Sequence, residues 1–492
     1  MSDDRSEEGS GFNVGARARV AIRWSAITRF IGQVISWSLT LVVIRLLEPE
    51  DYGLIAMATL LISLLYLVND FGLDGVLIQS RHLDETMRQQ ILAAVVIANL
   101  TILIGLQFAA PLIAAFFSRE ALTSIIRVLA LQFLFHIFET LPQSRLERDL
   151  DFKRRSLVEL GATLAGGLIT LALAIRGMGV WSLVWGNLLS VLTRVIGLNY
   201  IAPCRYRPRF SLIGMTRHLR FGRMILADKT LWFVFSESDK FIGGKLLGAE
   251  QLGYYVVSQN IATLPINKLA GLVRSIAFPA FSEVQAERVT VREYLLTTMR
   301  MAAIVFFPIF FGLAAVADEL VPVALGERWT PGVMLLKVLA VVMPLRMVSV
   351  LFPPVLWGIG RPEISAGNYL FAAIFMPAAL AFGAVWGGIT GLAVAWLCAF
   401  PIVFWFFLAR TARLLALPVS RVLATLARPA LASLVMLLCI EAFRLGIALT
   451  FVPLNSTLTL LAYVLAGVLV YSAIIWTLHR EGVKELLTFL TR

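Results

Sequence analysis

The side chains with the clearest chemical potential in this sequence are charges set inside long apolar segments. There each costs at least about 2.5 kcal/mol at mid-membrane and must pair or face water. They concentrate in four segments: Arg23 and Arg29; Asp70 and Asp74; Asp228, Lys229, Glu237, Asp239 and Lys240; Lys268 and Arg274. Elsewhere they are fewer, chiefly Arg127, His136, Glu139, Arg194, Lys337, Arg346, Glu441 and Arg444. Arg29 and Lys268 lie deep in their segments with no carboxylate nearby in sequence, which suits cations held ready for an anionic ligand such as a diphosphate. Lys229, Arg274 and Arg23 extend that set, although Arg23, Arg274 and Asp74 also lie within snorkelling reach of a membrane interface. Asp70, Asp74, Asp228 and Asp239 are the candidates for balancing these cations or for carrying a coupling proton or cation. Glu237 and Lys240, at i and i+3, read as a structural ion pair.

No catalytic constellation accompanies these charges. The sequence has no His/Glu/His metal spacing, no paired cysteines, no phosphate-cradling glycine loop ending in Lys-Ser or Lys-Thr, and no nucleophile elbow. Cys204, Cys398 and Cys439 are scattered and read as small apolar fillers. A transporter is therefore expected rather than an enzyme, without a bound cofactor or metal, any driving ion being a proton or sodium.

The elements that must position these charges are membrane helices. Of the 492 residues, 59% are hydrophobic and only 15% charged, a balance outside the range of water-soluble globular chains. Apolar runs long enough to cross roughly 30 Å of hydrocarbon recur along the chain. They read as about fourteen spans, from 24–47 to 456–478, with the fourth at 122–141. The net charge of +12 follows topology rather than pointing to nucleic acid. Breaks rich in Arg and Lys, such as those holding Arg145 to Arg155 and Arg205 to Arg220, alternate with breaks nearly devoid of them, such as Glu48 to Tyr52 and Trp386 to Thr390. Both termini are then expected in the cytoplasm; the opening stretch is acidic and polar and lacks a signal-peptide core. Pro265, Pro308, Pro344, Pro353, Pro354 and Pro401 fall inside spans and should kink or break them.

An internal repeat organises the spans. Residues 45–54, from Arg45 to Leu54, return without a gap as residues 245–254, from Lys245 to Tyr254, and upstream Arg23 aligns with Arg223, Arg29 with Lys229 and Ser36 with Ser236. Both copies face the non-cytoplasmic side, so the repeats are parallel. The chain divides into an N-lobe at 1–202, a C-lobe at 203–425 and two further spans with a tail at 426–492. The first copy has no counterpart to Asp228 or Asp239, which makes the second lobe the expected home of charge coupling.

The first turn and the helix after it, through Asn69-Asp70-Phe71-Gly72-Leu73, resemble the start of Wzx-type polysaccharide flippases. The second copy, Asp239-Lys240 through Leu247-Gly248-Ala249-Glu250-Gln251-Leu252-Gly253-Tyr254, is similar to that family's corresponding pattern, as are Pro279-Ala280-Phe281-Ser282 and Leu325-Gly326-Glu327-Arg328-Trp329. The resemblance covers nearly the whole chain; Glu48 stands where many members carry a small residue. It implies an all-α polytopic membrane protein of the superfamily that also holds multidrug extruders and the lipid II flippase, with two six-helix lobes around a central cavity opened alternately to each side. It implies a cargo of undecaprenyl-diphosphate-linked oligosaccharide carried across the bacterial inner membrane for O-antigen, capsule or exopolysaccharide, with polysaccharide polymerase and export machinery as partners. The competing readings are a cation-coupled drug or metabolite antiporter, which would favour a carboxylate-dominated cavity, and a membrane polymerase or glycosyltransferase, which would need a large outer loop or an acidic catalytic motif.

Overall fold

The computed structural model describes residues 32–33, 35–79, 85–148, 151–203, 208–210, 216–283, 288–449 and 456–480, with isolated positions beyond. All regular structure among them is helical. Nine described helices are long and apolar enough to cross a membrane, and a bent pair makes a tenth. Helices Thr216–Leu247 and Ala249–Glu283, of 32 and 35 residues, also have spanning length. The protein is therefore a multi-pass membrane protein. Large apolar side chains on its outside, such as Phe108 at 78% and Leu112 at 74% exposure, are stable only against lipid.

The chain folds as two compact units that divide between Ala227 and Asp228. The first contains α1 (Ile35–Leu46), α2 (Pro49–Gln79), α3 (Glu85–Phe117), α4 (Ala121–Leu129), α5 (Gln132–His136), α6 (Thr140–Arg148), α7 (Phe152–Ile175) and α8 (Val180–Ile201). Helix α9 (Thr216–Leu247) contains the division. The repeated turn starts α2 as its sequence suggests: Pro49 occupies the first turn, where its missing N–H costs nothing, and Glu50 and Asp51 face the positive end of the helix dipole. Asp51 reaches back to accept the Glu48 N–H at 3.0 Å and also meets the Val180 N–H that opens α8. Glu50 pairs with Arg119 at 3.1 Å. The turn thus ties together three of the unit's connections.

The expected fourth span is not one helix. α4, α5 and α6 are separate pieces, and the axis turns by 52° between His136 and Thr140. Side chains support the backbone at that break: Asn199 Nδ2 donates to the Phe138 carbonyl at 2.8 Å, and Thr140 Oγ1 joins the Glu139 N–H on the His136 carbonyl, at 3.2 Å. α7 and α8 approach closely because small residues face each other. A Cβ on Gly166 would lie 2.8 Å from the Gly186 carbonyl, and one on Gly186 only 1.7 Å from Thr170 Oγ1.

The second unit contains α10 (Ala249–Glu283), α11 (Arg288–Ala315), α12 (Ala317–Ala324), α13 (Gly332–Ser349), α14 (Phe352–Gly358), α15 (Pro362–Leu414), α16 (Val419–Leu449) and α17 (Ser456–Leu478). α13 and α14 together form one span broken ahead of Pro353 and Pro354. α15 is two helices run together, and the break falls at Gly387 and Gly388. Gly388 (φ 57°, ψ −139°) repeats the backbone of Gly179 at the head of α8 (φ 54°, ψ −135°), a conformation open to glycine. Here too glycines let the helices touch, since a Cβ on Gly383 would lie 2.4 Å from the Gly391 carbonyl. The two units share a hairpin design that the sequence repeat alone did not announce.

Intramembrane prolines leave carbonyls without an intrahelical donor, and at two of them a neighbouring helix supplies one. Pro308 orphans the Ile304 carbonyl of α11, which accepts from Tyr471 Oη of α17 at 2.7 Å. Pro111 orphans the Gln107 carbonyl of α3, which accepts from Arg127 Nε at 3.2 Å, while Gln107 Nε2 returns a bond to the Arg127 carbonyl at 3.0 Å. A core of Ile304, Ala432, Met436, Ile440, Tyr471 and Ile475 packs α16 and α17 onto α11. An ion-pair network ties α16 to α12 and α13: Arg444 meets Asp318, Glu319 and Glu441 at 2.7–2.9 Å, and Lys337 meets Asp318 at 2.5 Å.

Candidate functional site

The best-defined charged site of the second unit is built around Asp239. α9 carries this carboxylate at zero exposure, so its oxygens need donors. α10 supplies two of them one turn apart on a single face: Tyr255 Oη donates to Asp239 Oδ2 at 2.8 Å, and Gln259 Nε2 makes a short contact to the same oxygen. The second half of α15 supplies a third, Trp396 Nε1, at 3.2 Å. Arg346 of α13 stacks over the Trp396 ring, 4.4 Å from its centroid, and interacts electrostatically with Asp239 and Glu237. Glu237 is paired with Lys240 at 2.6 Å, as its spacing predicts. Two carboxylates and two cations, on α9 and α13, thus neutralise one another inside the unit, with neutral donors from α10 and α15.

Three turns earlier on α9, Asp228 is also buried, and its Oδ1 has no hydrogen-bond partner among the described residues. It lies beside Ser365 of α15, close enough to interact with its hydroxyl, although Ser365 Oγ lacks a partner of good geometry as well. Lys229 is half-buried next to it and attracts its charge.

The first unit has a smaller cluster at the break in its fourth span. Glu139 is buried; Arg194 of α8 reaches its Oε1 through Nε at 2.8 Å and its Oε2 through Nη2 at 3.4 Å, a close ion pair aligned as a hydrogen bond only at Nη2. His136 Nδ1 lies 3.8 Å from Glu139 Oε2, and the imidazole packs against the Tyr66 ring at 5.1 Å.

Of the residues singled out from sequence, Asp228, Lys229 and Asp239 thus share one helix, with Asp239 at the centre of a buried network. Arg23 and Arg29 lie outside the described residues. Asp70 and Asp74 lie on α2 and Lys268 and Arg274 on α10, with their side chains outside the described set. Sequence reasoning missed Tyr255, Gln259 and Trp396. Tyr255 and Gln259 carry a weak signal, two hydrogen-bonding side chains four apart in an apolar segment; Trp396 carries none, because only tertiary packing brings it to α9. No group of three or more potential metal-ligating side chains occurs among the described residues.

Comparison with known proteins adds family context. A family model described as polysaccharide biosynthesis protein matches residues 42–334. The chain is 26% identical over 472 residues to a succinoglycan biosynthesis transport protein, ExoT, of Rhizobium meliloti strain 1021, covering 95% of this chain and 94% of that protein. It is 27% identical to a teichuronic acid biosynthesis protein, TuaB, of Bacillus subtilis strain 168, covering 86% and 87%. It is 25% identical to a lipopolysaccharide biosynthesis protein, WzxC, of Escherichia coli K12, covering 76% and 77%. Among solved structures, the lipid II flippase MurJ in an inward closed conformation superposes with a TM-score of 0.73 at 13% identity, over 93% of this chain and 99% of that one. An inward-facing multidrug transporter of the MOP superfamily superposes with a TM-score of 0.57 at 15% identity, over 79% and 98%.

Proposed function

The chain belongs to the polysaccharide biosynthesis protein family, and from that membership we propose that it is a lipid-linked oligosaccharide flippase. The observation that carries the reading is its near end-to-end likeness to a succinoglycan transport protein, in a chain whose charges lie within membrane helices. The related proteins serve chemically different polymers, so the ligand feature common to them is better sought in the lipid carrier than in the sugar. An undecaprenyl diphosphate offers such a feature: an anionic headgroup that needs a polar path while the prenyl tail stays in lipid.

In this reading Arg29 and Lys268, with Arg274, Lys229 and Arg23, attract the diphosphate, and Asp70, Asp74, Asp228 and Asp239 balance those charges or carry a coupling proton or sodium ion. The lobes at 1–202 and 203–425 alternate access to the two sides, the segment 426–492 accompanies the second, and both termini lie on the cytoplasmic side of a bacterial inner membrane. Polysaccharide polymerase and export machinery take up the product. The test is a proteoliposome flipping assay with undecaprenyl-diphosphate-linked sugars, with and without proton or sodium gradients. Movement of the lipid-linked sugar that depends on the protein supports the reading; none, from correctly inserted protein, overturns it.

A further inference from the structure

We infer that Arg194 is a headgroup-binding cation in the first unit, held ready by Glu139, and that it contacts the diphosphate of the lipid carrier. The inference rests on the diphosphate-linked cargo proposed above.

Arg194 sits about 21 Å along α8 from Val180, well inside the span. At that depth a guanidinium is retained only with a partner or a wet surface. Its side chain is nevertheless 36% exposed. That exposure lies on a different side of α8 from its exposed apolar stripe, marked by Trp185, Ile196 and Tyr200 at 44%, 60% and 88% exposure. At about 100° per residue, Arg194 lies roughly 180° from Trp185, whereas Ile196 and Tyr200 lie within about 60° of it. Exposed Asn187, two turns before Arg194, shares its face. α8 therefore has an apolar exposed side and a polar exposed side, and only the second is suited to water or a charged ligand.

The contact with Glu139 runs through Nε and Nη2, and Nη1 has no partner among the described residues. A guanidinium fixed along one edge, with its remaining donors open, is shaped to accept phosphate oxygens. Glu139 is buried and braced in turn. It sits at the break between α5 and α6, which Asn199 of the same α8 holds through the Phe138 carbonyl, and His136 lies 3.8 Å from it. The carboxylate steadies the cation while no headgroup is bound. The polar network of the second unit is different: Asp239 is fully buried and one of its oxygens is taken up by donors from α10 and α15.

A merely structural Arg194–Glu139 pair makes the opposite prediction, which a double variant separates. Arg194→Gln alone strands a buried carboxylate and lowers stability under either account; Glu139→Gln/Arg194→Gln removes both charges and restores folding. Purified full-length protein in detergent is titrated with undecaprenyl diphosphate and with uncharged undecaprenol, alongside a thermal unfolding measurement. The expected result is at least tenfold weaker undecaprenyl diphosphate binding by the double variant, with near wild-type unfolding temperature and unchanged undecaprenol binding. Wild-type undecaprenyl diphosphate affinity in the double variant overturns the assignment. Equal affinity of the unmodified protein for the two lipids overturns the cargo reading itself, and this site with it.

Discussion

Asp239 shows how much a single residue owes to its neighbours. Three donors from two other helices converge on one carboxylate, so Asp239→Ala would strand buried donors at about 1–3 kcal/mol each, a loss readable as a fall in unfolding temperature. Asp239→Asn keeps an acceptor of the same shape, and should retain the fold while losing any acceleration of flipping by an ion gradient. A gradient response equal to wild type in that variant would remove Asp239 from the coupling set. Asp51 has a different task. The sequence marks it as the acid of a repeated turn, and its place at the start of α8 follows from folding: Asp51→Ala should cost about 0.5–2 kcal/mol as a lost helix-start cap, checked by thermal unfolding. In the second copy Gln251 occupies the aligned position, so the same substitution there should have a smaller effect.

At the scale of elements, the helices are held by close approach and by proline-released carbonyls. Tyr471→Phe removes the donor to the Ile304 carbonyl and should cost about 1 kcal/mol. Pro308→Ala restores an N–H to that carbonyl, so in its presence the Tyr471→Phe cost should shrink, a coupling that a double-mutant cycle on unfolding measures directly. Gly186→Leu drives a side chain into Thr170 and the Gly166 carbonyl; it should separate α7 from α8, lower stability and reduce transport, whereas Gly105, with open space around it, should tolerate the same change. Most of these helices were legible from apolar run length, because a membrane enforces length and hydrogen-bond closure on every span. The break at 137–139 was not legible: the apolar run continues straight through it, and what permits it is the Asn199 side chain, more than fifty residues away. The join at Gly387 and Gly388 was placed correctly as a gap between spans, yet its likeness to the Gly179 turn became visible only in backbone angles.

For the whole molecule, the proposed transport cycle predicts that Arg29→Gln/Lys268→Gln abolishes polysaccharide export while the protein still inserts normally. Wild-type export by that pair would remove both from the headgroup path. Reporter fusions at each end should locate both termini in the cytoplasm; an outside signal from either would invert the charge-based topology. The sequence by itself determined the class of molecule, the approximate spans, the two related halves and the family, because hydrophobicity, charge asymmetry and motif order are properties of the chain read in one dimension. It also picked out Asp228, Asp239, Glu139 and Arg194 as anomalous, since a charge in an apolar run needs no coordinates to be costly. Which of them are sealed and which stay reachable was decided only by tertiary structure. Burial and pairing depend on side chains such as Tyr255, Trp396 and Glu139 arriving from helices distant in sequence, and no local pattern encodes that meeting.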